Sequence, residues 1–294
     1  MENFQPGDML DNRYWLQEVI GAGAHGTVFR AQDLQAKAEV AIKCLHPELA
    51  QKPALQARLE REARAMCALS GTSAAQILAA SRTRGGTLYL VMELLQGKDL
   101  EATLRELEAE GRALPVPRMV ELLAPIVATL EAAHARGIIH RDLKPANIFV
   151  LDDAASGPVR LLDFGLVKDL NAAPLTAKGT IAGSPAYVAP EVWRGKPEAL
   201  DHRIDVYSMG AVVFRALSGR APFQGETRMD LVVACVSGPR PSLHARRPEL
   251  PEGVDGWVAR ALAIAPEDRF QDIRALWGAL LDELGGLCAF EKTP

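Results

Sequence analysis

The sequence predicts an α+β protein in which a small β-rich part precedes a larger helical part. Three observations carry this. Up to residue 93, apolar and polar side chains alternate with a period of two between turn-forming clusters, with one helical stretch among them. Beyond residue 93, six segments repeat their apolar positions every three or four residues. Only two short strands interrupt those six, so a series of alternating βαβ units is excluded.

Each element has its own signal. Segments 14–20 and 27–32 flank a glycine cluster, and 39–45 alternates as a strand does. Pro53 stands where a first helical turn tolerates it. Leu55, Leu59, Ala63, Met66 and Leu69 then recur at helical spacing, which predicts an amphipathic helix over 54–70. Two further strands, 76–80 and 87–93, are joined by Thr83-Arg84-Gly85-Gly86. The expected pattern is five strands around one helix. After a link over 94–98, helices are predicted over 99–110, 117–137, 204–218, 227–237, 252–263 and 272–284, with strands at 148–151 and 159–162.

Composition excludes several classes. A chain of 294 residues buries about 75 % of its unfolded surface without staples. Hydrophobic residues at 48 % and charged ones at 24 % are ordinary for a globular chain and rule out disorder. A net charge of −4 and a pI near 5.9 lie far from the basic footprint of a nucleic-acid binder. Apolar runs, such as 211–214, fall short of the ~18 residues of a membrane span. Residues 1–11 lack the apolar stretch of a secretory signal. Four scattered cysteines form no C-x-x-C pair, which fits a reducing compartment without zinc or disulfides. A cytoplasmic protein is expected.

Three motifs carry the chemistry. Gly21-Ala22-Gly23-Ala24-His25-Gly26 is a G-x-G-x-x-G followed by strand-favouring residues, where a dinucleotide fold would open a helix. Alone it fits a phosphate-covering loop or a plain hairpin turn equally. Val40-Ala41-Ile42-Lys43 sets one lysine in an apolar strand, where an unpaired charge is costly. Glu62, on the apolar stripe four residues before Met66, is its expected partner; the alternative places Glu62 on a solvated face with Arg58, Arg61 and Arg64. His140-Arg141-Asp142-Leu143-Lys144-Pro145-Ala146-Asn147 is followed by Asp163-Phe164-Gly165 and then by Ala189-Pro190-Glu191.

In this order the motifs form the protein-kinase signature set. Over about residues 14–284 the chain resembles a protein kinase of the eukaryotic-like (Hanks-type) Ser/Thr kind found in bacteria. The resemblance implies a bilobal fold: an extension 1–13, an N-lobe 14–93, a hinge 94–99, a helical C-lobe 100–286 and a tail 287–294. It implies transfer of the γ-phosphoryl group of ATP to Ser/Thr hydroxyls of proteins, itself included, with Mg²⁺ as cofactor. Asp142 would accept the hydroxyl proton and Lys144 would neutralise the moving phosphoryl group. Lys43, oriented by Glu62, would hold the α- and β-phosphates under Gly21, Gly23 and Gly26, and Asn147 and Asp163 would bind the metal. Val28, Ala41 and Phe149 would enclose adenine, with Met92 as gatekeeper and the backbone of Glu93 and Leu95 as hinge. Met66, Leu78, His140 and Phe164 would stack when the enzyme is active.

The same resemblance implies regulation. Arg141, Lys168 and Arg58 match the basic positions that collect an activation-loop phosphate, with Thr180 as the expected acceptor and Thr176 as the second choice. Arg269 is the expected partner of Glu191, and Asp205 the expected anchor of the catalytic-loop backbone. His134 reads as a packed structural histidine. A pseudokinase would have lost Lys43, Asp142 or Asp163, and small-molecule kinases of this fold generally lack the Ala-Pro-Glu segment. Related bacterial kinases often continue into a linker, a membrane span and a sensor domain. No readable code names the substrates.

Overall fold

The computed structural model describes residues 4–23, 26–46, 66–153, 157–164, 185–193 and 200–288. They fall into two compact units, Met1–Gln96 and Gly97–Pro294.

The first unit is a six-stranded antiparallel sheet in the order β1-β2-β3-β4-β6-β5. Its strands are β1 (Met9–Leu10), β2 (Tyr14–Gly23), β3 (Gly26–Asp33), β4 (Ala38–Leu45), β5 (Ile77–Arg82) and β6 (Leu88–Glu93). The period-two pattern sorts side chains onto two faces. Leu16, Phe29, Ala31, Val40, Ile42, Cys44, Tyr89 and Val91 form a buried core, and the cross-strand pairs Phe29–Ile42 and Ile42–Val91 put them on one side. Lys43 pairs with Val28, and Ala41 with Met92, on the other side.

Two features depart from the sequence expectation. The short strand β1 adds a sixth strand, and Asp11 and Asn12, both left-handed (φ 48° and 54°), turn it into β2. Asn and Asp tolerate that conformation because their short side chains bond locally. The glycine segment is also less of a loop than expected, since β2 and β3 stay paired as far as Gly23 and Gly26. A Cβ on Gly26 would lie 2.2 Å from the Cys44 carbonyl oxygen, so only glycine fits there. The predicted helix over 54–70 lies mostly outside the described residues.

In the second unit, β7 (Gly97–Asp99), β8 (Ile148–Leu151) and β9 (Val159–Leu161) form a small antiparallel sheet. The strand β7 lies in the stretch read as a link. Gly97 has φ +139°, and a Cβ there would meet Val150 O at 2.0 Å, which explains the glycine. The helices are α1 (Leu100–Ala109), α2 (Val116–His134), α3 (Pro190–Trp193), α4 (Arg203–Ser218), α5 (Arg228–Ser237), α6 (Val254–Ala261) and α7 (Ile273–Leu284). Asp99, Thr227 and Asp272 cap α1, α5 and α7 through side-chain oxygens that accept N–H bonds. Every residue of α4 from Ile204 to Leu217 is buried, so this helix is the centre of the unit. No described helix is long and apolar enough to cross a membrane.

A buried ion pair ties the Ala-Pro-Glu segment to the far end of the unit. Arg269 is 1 % exposed. It donates to both Glu191 oxygens at 2.7 and 2.6 Å and to the carbonyls of Ala263 and Ile264 at 2.8 and 3.0 Å. Its guanidinium lies 5.0 Å from the Tyr207 ring centroid. In the first unit Arg13 holds Asp33 by two bonds of 3.0 and 2.7 Å. These, offset in part by burial and helped by the amides of Ala36 and Gln35, bring the Asp33 carboxyl down to about 2.

Glu191→Ala strands a buried guanidinium, so urea denaturation should show a loss of about 3–5 kcal/mol. Asp33 titrates below an unfolded carboxylate, so its contribution is complete above about pH 4 and lost as pH falls towards about 2. Melting curves of wild type and Asp33→Asn should therefore differ at neutral pH and converge on acidification. A gap that stays constant with pH would refute this assignment.

Candidate active site

The segment 140–147 is fastened from beneath by one carboxylate. Asp205, fully buried in the first turn of α4, accepts the backbone N–H of His140 at 2.8 Å and of Arg141 at 2.9 Å. It also accepts from His134 Nε2 at 2.9 Å, so His134 packs as the structural residue expected. Burial alone would raise the pKa of Asp205, but the His134 bond and the amide bonds outweigh it and hold the group below the usual carboxylate range. The two amides are presented because Arg141 is left-handed, with φ 66°. Asp163 is left-handed too, with φ 44°. Non-glycine residues in that region cost energy and cluster at functional sites.

His140 joins the two acidic segments. It is wholly buried, and desolvation lowers its pKa, which keeps the ring neutral. Its Nε2 lies 2.9 Å from Leu162 O and must donate, while Nδ1 lies 3.3 Å from the Asp142 amide and accepts. The ring packs on Phe164 at 4.7 Å between centroids. The Leu162 amide in turn donates to Asn147 O at 2.8 Å. The residues just before Asp163 are thereby registered to the loop that carries Asp142.

Asp142, Lys144 and Asn147 come together as expected. Lys144 Nζ lies 2.8 Å from Asp142 Oδ2. Asn147 Nδ2 donates to Asp142 O at 2.7 Å and to Oδ2 at 3.2 Å. With its amide nitrogen engaged in this way, Asn147 has its oxygen for other work. Phe149 sits in β8 opposite Asp99.

In the first unit, Val28, Ala41, Lys43 and Met92 share the sheet face opposite the core. Gly21, Gly23 and Gly26 stand at the adjoining hairpin end. Glu93 and Leu95 follow at the end of β6. The Glu93 amide donates to Gln76 O at 3.1 Å, so an adenine contact at Glu93 would fall to its carbonyl. Leu78 does not enter an apolar stack: it is 56 % exposed, which corrects that expectation. Glu62, Arg58, Lys168, Thr176 and Thr180 lie outside the described residues, as do His25, Gly165 and Ser184.

Two arrangements escaped sequence reasoning. His46, just past β4, places Nε2 2.9 Å from the carbonyl of Gly23 in the glycine segment. Arg215, in α4, bonds the Tyr187 hydroxyl and two glutamates of α1. A charged residue in the otherwise apolar stretch 209–217 of that helix was the available signal for Arg215. For His46 there was none, because the bond depends on how the hairpin folds back.

The protein kinase domain family matches residues 14–270. Serine/threonine-protein kinase PknL of Mycobacterium tuberculosis is 36 % identical over 276 residues, 94 % of this chain and 66 % of that protein. Serine/threonine-protein kinase Pkn1 of Myxococcus xanthus is 35 % identical over 290 residues, 94 % of this chain and 40 % of that one. The chain thus spans less than two thirds of the length of these relatives. The crystal structure of the Mycobacterium tuberculosis PknI kinase domain matches with a TM-score of 0.73 and 26 % identity, covering 96 % of this chain and 100 % of that one. The fold is the bilobal protein kinase fold, and the chain belongs to the protein kinase family on its bacterial serine/threonine branch.

Proposed function

We propose that this chain transfers the γ-phosphoryl group of ATP to serine and threonine hydroxyls of proteins. One arrangement supports this reading above the rest. The Asp142 carboxylate is gripped by Lys144 and Asn147, on a loop whose backbone is fixed to the central helix by Asp205. Phosphoryl transfer asks for positioning and charge stabilisation more than for covalent chemistry by the protein. Asp142 orients the attacking hydroxyl and takes its proton. Lys144, beside it, faces the charge that develops on the transferring group. In the first unit, Lys43 meets the phosphates from the sheet face it shares with Val28 and Ala41, which lie against adenine together with Met92.

The oxygen donors of Asp163 and Asn147 suit Mg²⁺, which keeps water and phosphate oxygens and takes one or two protein ligands. When bound, Mg²⁺ supplies neutralisation of the phosphate charge.

Transfer of labelled phosphate from Mg²⁺-ATP should be seen for the wild type, with phosphosites mapped by mass spectrometry. Asp142→Asn should cut turnover by about 10²–10⁴-fold, and Lys43→Met should abolish it. Undiminished turnover in Asp142→Asn would overturn this function. We further propose that phosphate on Thr180, or else Thr176, activates the enzyme through Arg141, Lys168 and Arg58. The pair Thr180→Ala with Thr176→Ala should lower turnover about tenfold, a cost of about 1.4 kcal/mol in barrier. Unchanged activity in that pair would remove the activation-loop role.

A further inference from the structure

The end of the glycine hairpin has little side-chain packing to hold it. Strands β2 and β3 stop at the pair Gly23–Gly26, and a Cβ on Gly23 would meet no described atom within 4 Å. The protein's own packing therefore does not require a glycine at 23. The last pairs of a hairpin open more readily than its middle, because fewer contacts are lost.

One side chain bears on this end. His46 is the first residue past β4 and is half-buried. Its Nε2 lies 2.9 Å from the carbonyl oxygen of Gly23. A carbonyl only accepts, so Nε2 carries the hydrogen and donates it, in the neutral and the protonated ring alike. Gly26 stands between the two residues in the sheet, paired with Gly23 on one side and with Leu45 on the other. The bond thus spans β3 and ties the end of β2 to the end of β4, outside the ladders of the sheet.

The strand at the other end of the tie gives it significance. Strand β4 carries Lys43, three residues before His46. If Lys43 and the glycine segment close on the same phosphates, their separation has to match one ligand. The close approach of Gly26 to the Cys44 carbonyl fixes β3 against β4. Without His46, the end of β2 would be held through β3 alone. A histidine that merely covered the sheet would leave its ring nitrogens to water, whereas this one is aimed at a backbone oxygen two strands away.

We propose that His46 is a positioning residue for the nucleotide: by donating to the Gly23 carbonyl it sets the glycine hairpin at a fixed distance from Lys43, so that both reach the phosphate end of a nucleoside triphosphate. The proposal deepens the kinase reading and rests on it. It assigns His46 to the phosphate end and not to the base or the acceptor protein. A hairpin already held in its bound position loses less freedom on binding, which raises affinity without a new contact to the ligand.

The test is calorimetric titration of Mg²⁺-ATP and of adenosine into the full chain and into His46→Phe, His46→Ala and His46→Gln. Phenylalanine keeps a ring without a donor, and glutamine keeps a donor near the place of Nε2. Loss of one hydrogen bond should raise the Kd for Mg²⁺-ATP about fivefold in His46→Phe and His46→Ala, with the Kd for adenosine unchanged. His46→Gln should return to within about twofold of wild type. KM for ATP should follow the same order, with KM for an acceptor peptide unchanged and kcat within about twofold. Unaltered Mg²⁺-ATP affinity in both His46→Phe and His46→Ala overturns the proposal. So does an equal weakening of adenosine and Mg²⁺-ATP that tracks a lower melting temperature, or a His46→Gln protein no better than His46→Phe. Gly23→Val keeps the carbonyl and adds a side chain into open space, so only a ligand close to the backbone would meet it. Unaltered Mg²⁺-ATP affinity in Gly23→Val would overturn the placing of the glycine segment on the phosphates, and no binding of Mg²⁺-ATP by wild type would overturn the kinase reading itself, so these failures are told apart.

Discussion

A single buried carboxylate sets the geometry on which the rest of the second unit depends. Asp205 has no exposure to water, and a lone charge in such a place would be heavily penalised. It is stable there because two successive backbone amides and a histidine donate to it. Each partner gains as well. The left-handed turn at Arg141, unfavourable for a residue with a Cβ, is the conformation that turns both amides to the same acceptor. His140, fixed at its amide, is then placed to bridge Asp142 and Leu162 through its two ring nitrogens. Strain at one residue, desolvation at another and the bonds that offset both form one balanced unit.

The first unit solves a different problem with the two faces of one sheet. The period of two that buries Phe29, Ile42 and Val91 leaves Val28, Ala41, Lys43 and Met92 on the opposite side. Stability and binding therefore draw on alternate residues of the same strands. A one-residue slip would exchange them completely. The fit at Gly26, where nothing larger than hydrogen is accommodated against the Cys44 carbonyl, guards against such a slip at the glycine end.

How far the sequence was legible follows from the range of each interaction. Local periodicity located the strands of β2 to β4 and all the long helices of the second unit to within a few residues, because burial of one face acts at every turn of chain. Motif spacing brought Asp142, Lys144 and Asn147 together, and it paired Arg269 with Glu191 across 78 positions, a match that only family resemblance could supply. Two-residue β1 and three-residue β7 were too short to show a period. Leu78 was matched by family resemblance to an apolar stack, yet on the edge strand β5 it stands in solvent. The Arg215 cluster and the His46 bond join residues with no fixed spacing, and no one-dimensional pattern encodes them.

The anchoring of the 140–147 loop on α4 has a consequence for how this unit loses its shape. A site carried on a loosely attached loop can lose its shape by local fraying while the surrounding fold survives. Here the loop amides end on a carboxylate in the most deeply buried helix of the unit, and freeing them would open water's way to the centre of the hydrophobic interior. Competence and foldedness of that unit are therefore expected to be lost together under heat or denaturant.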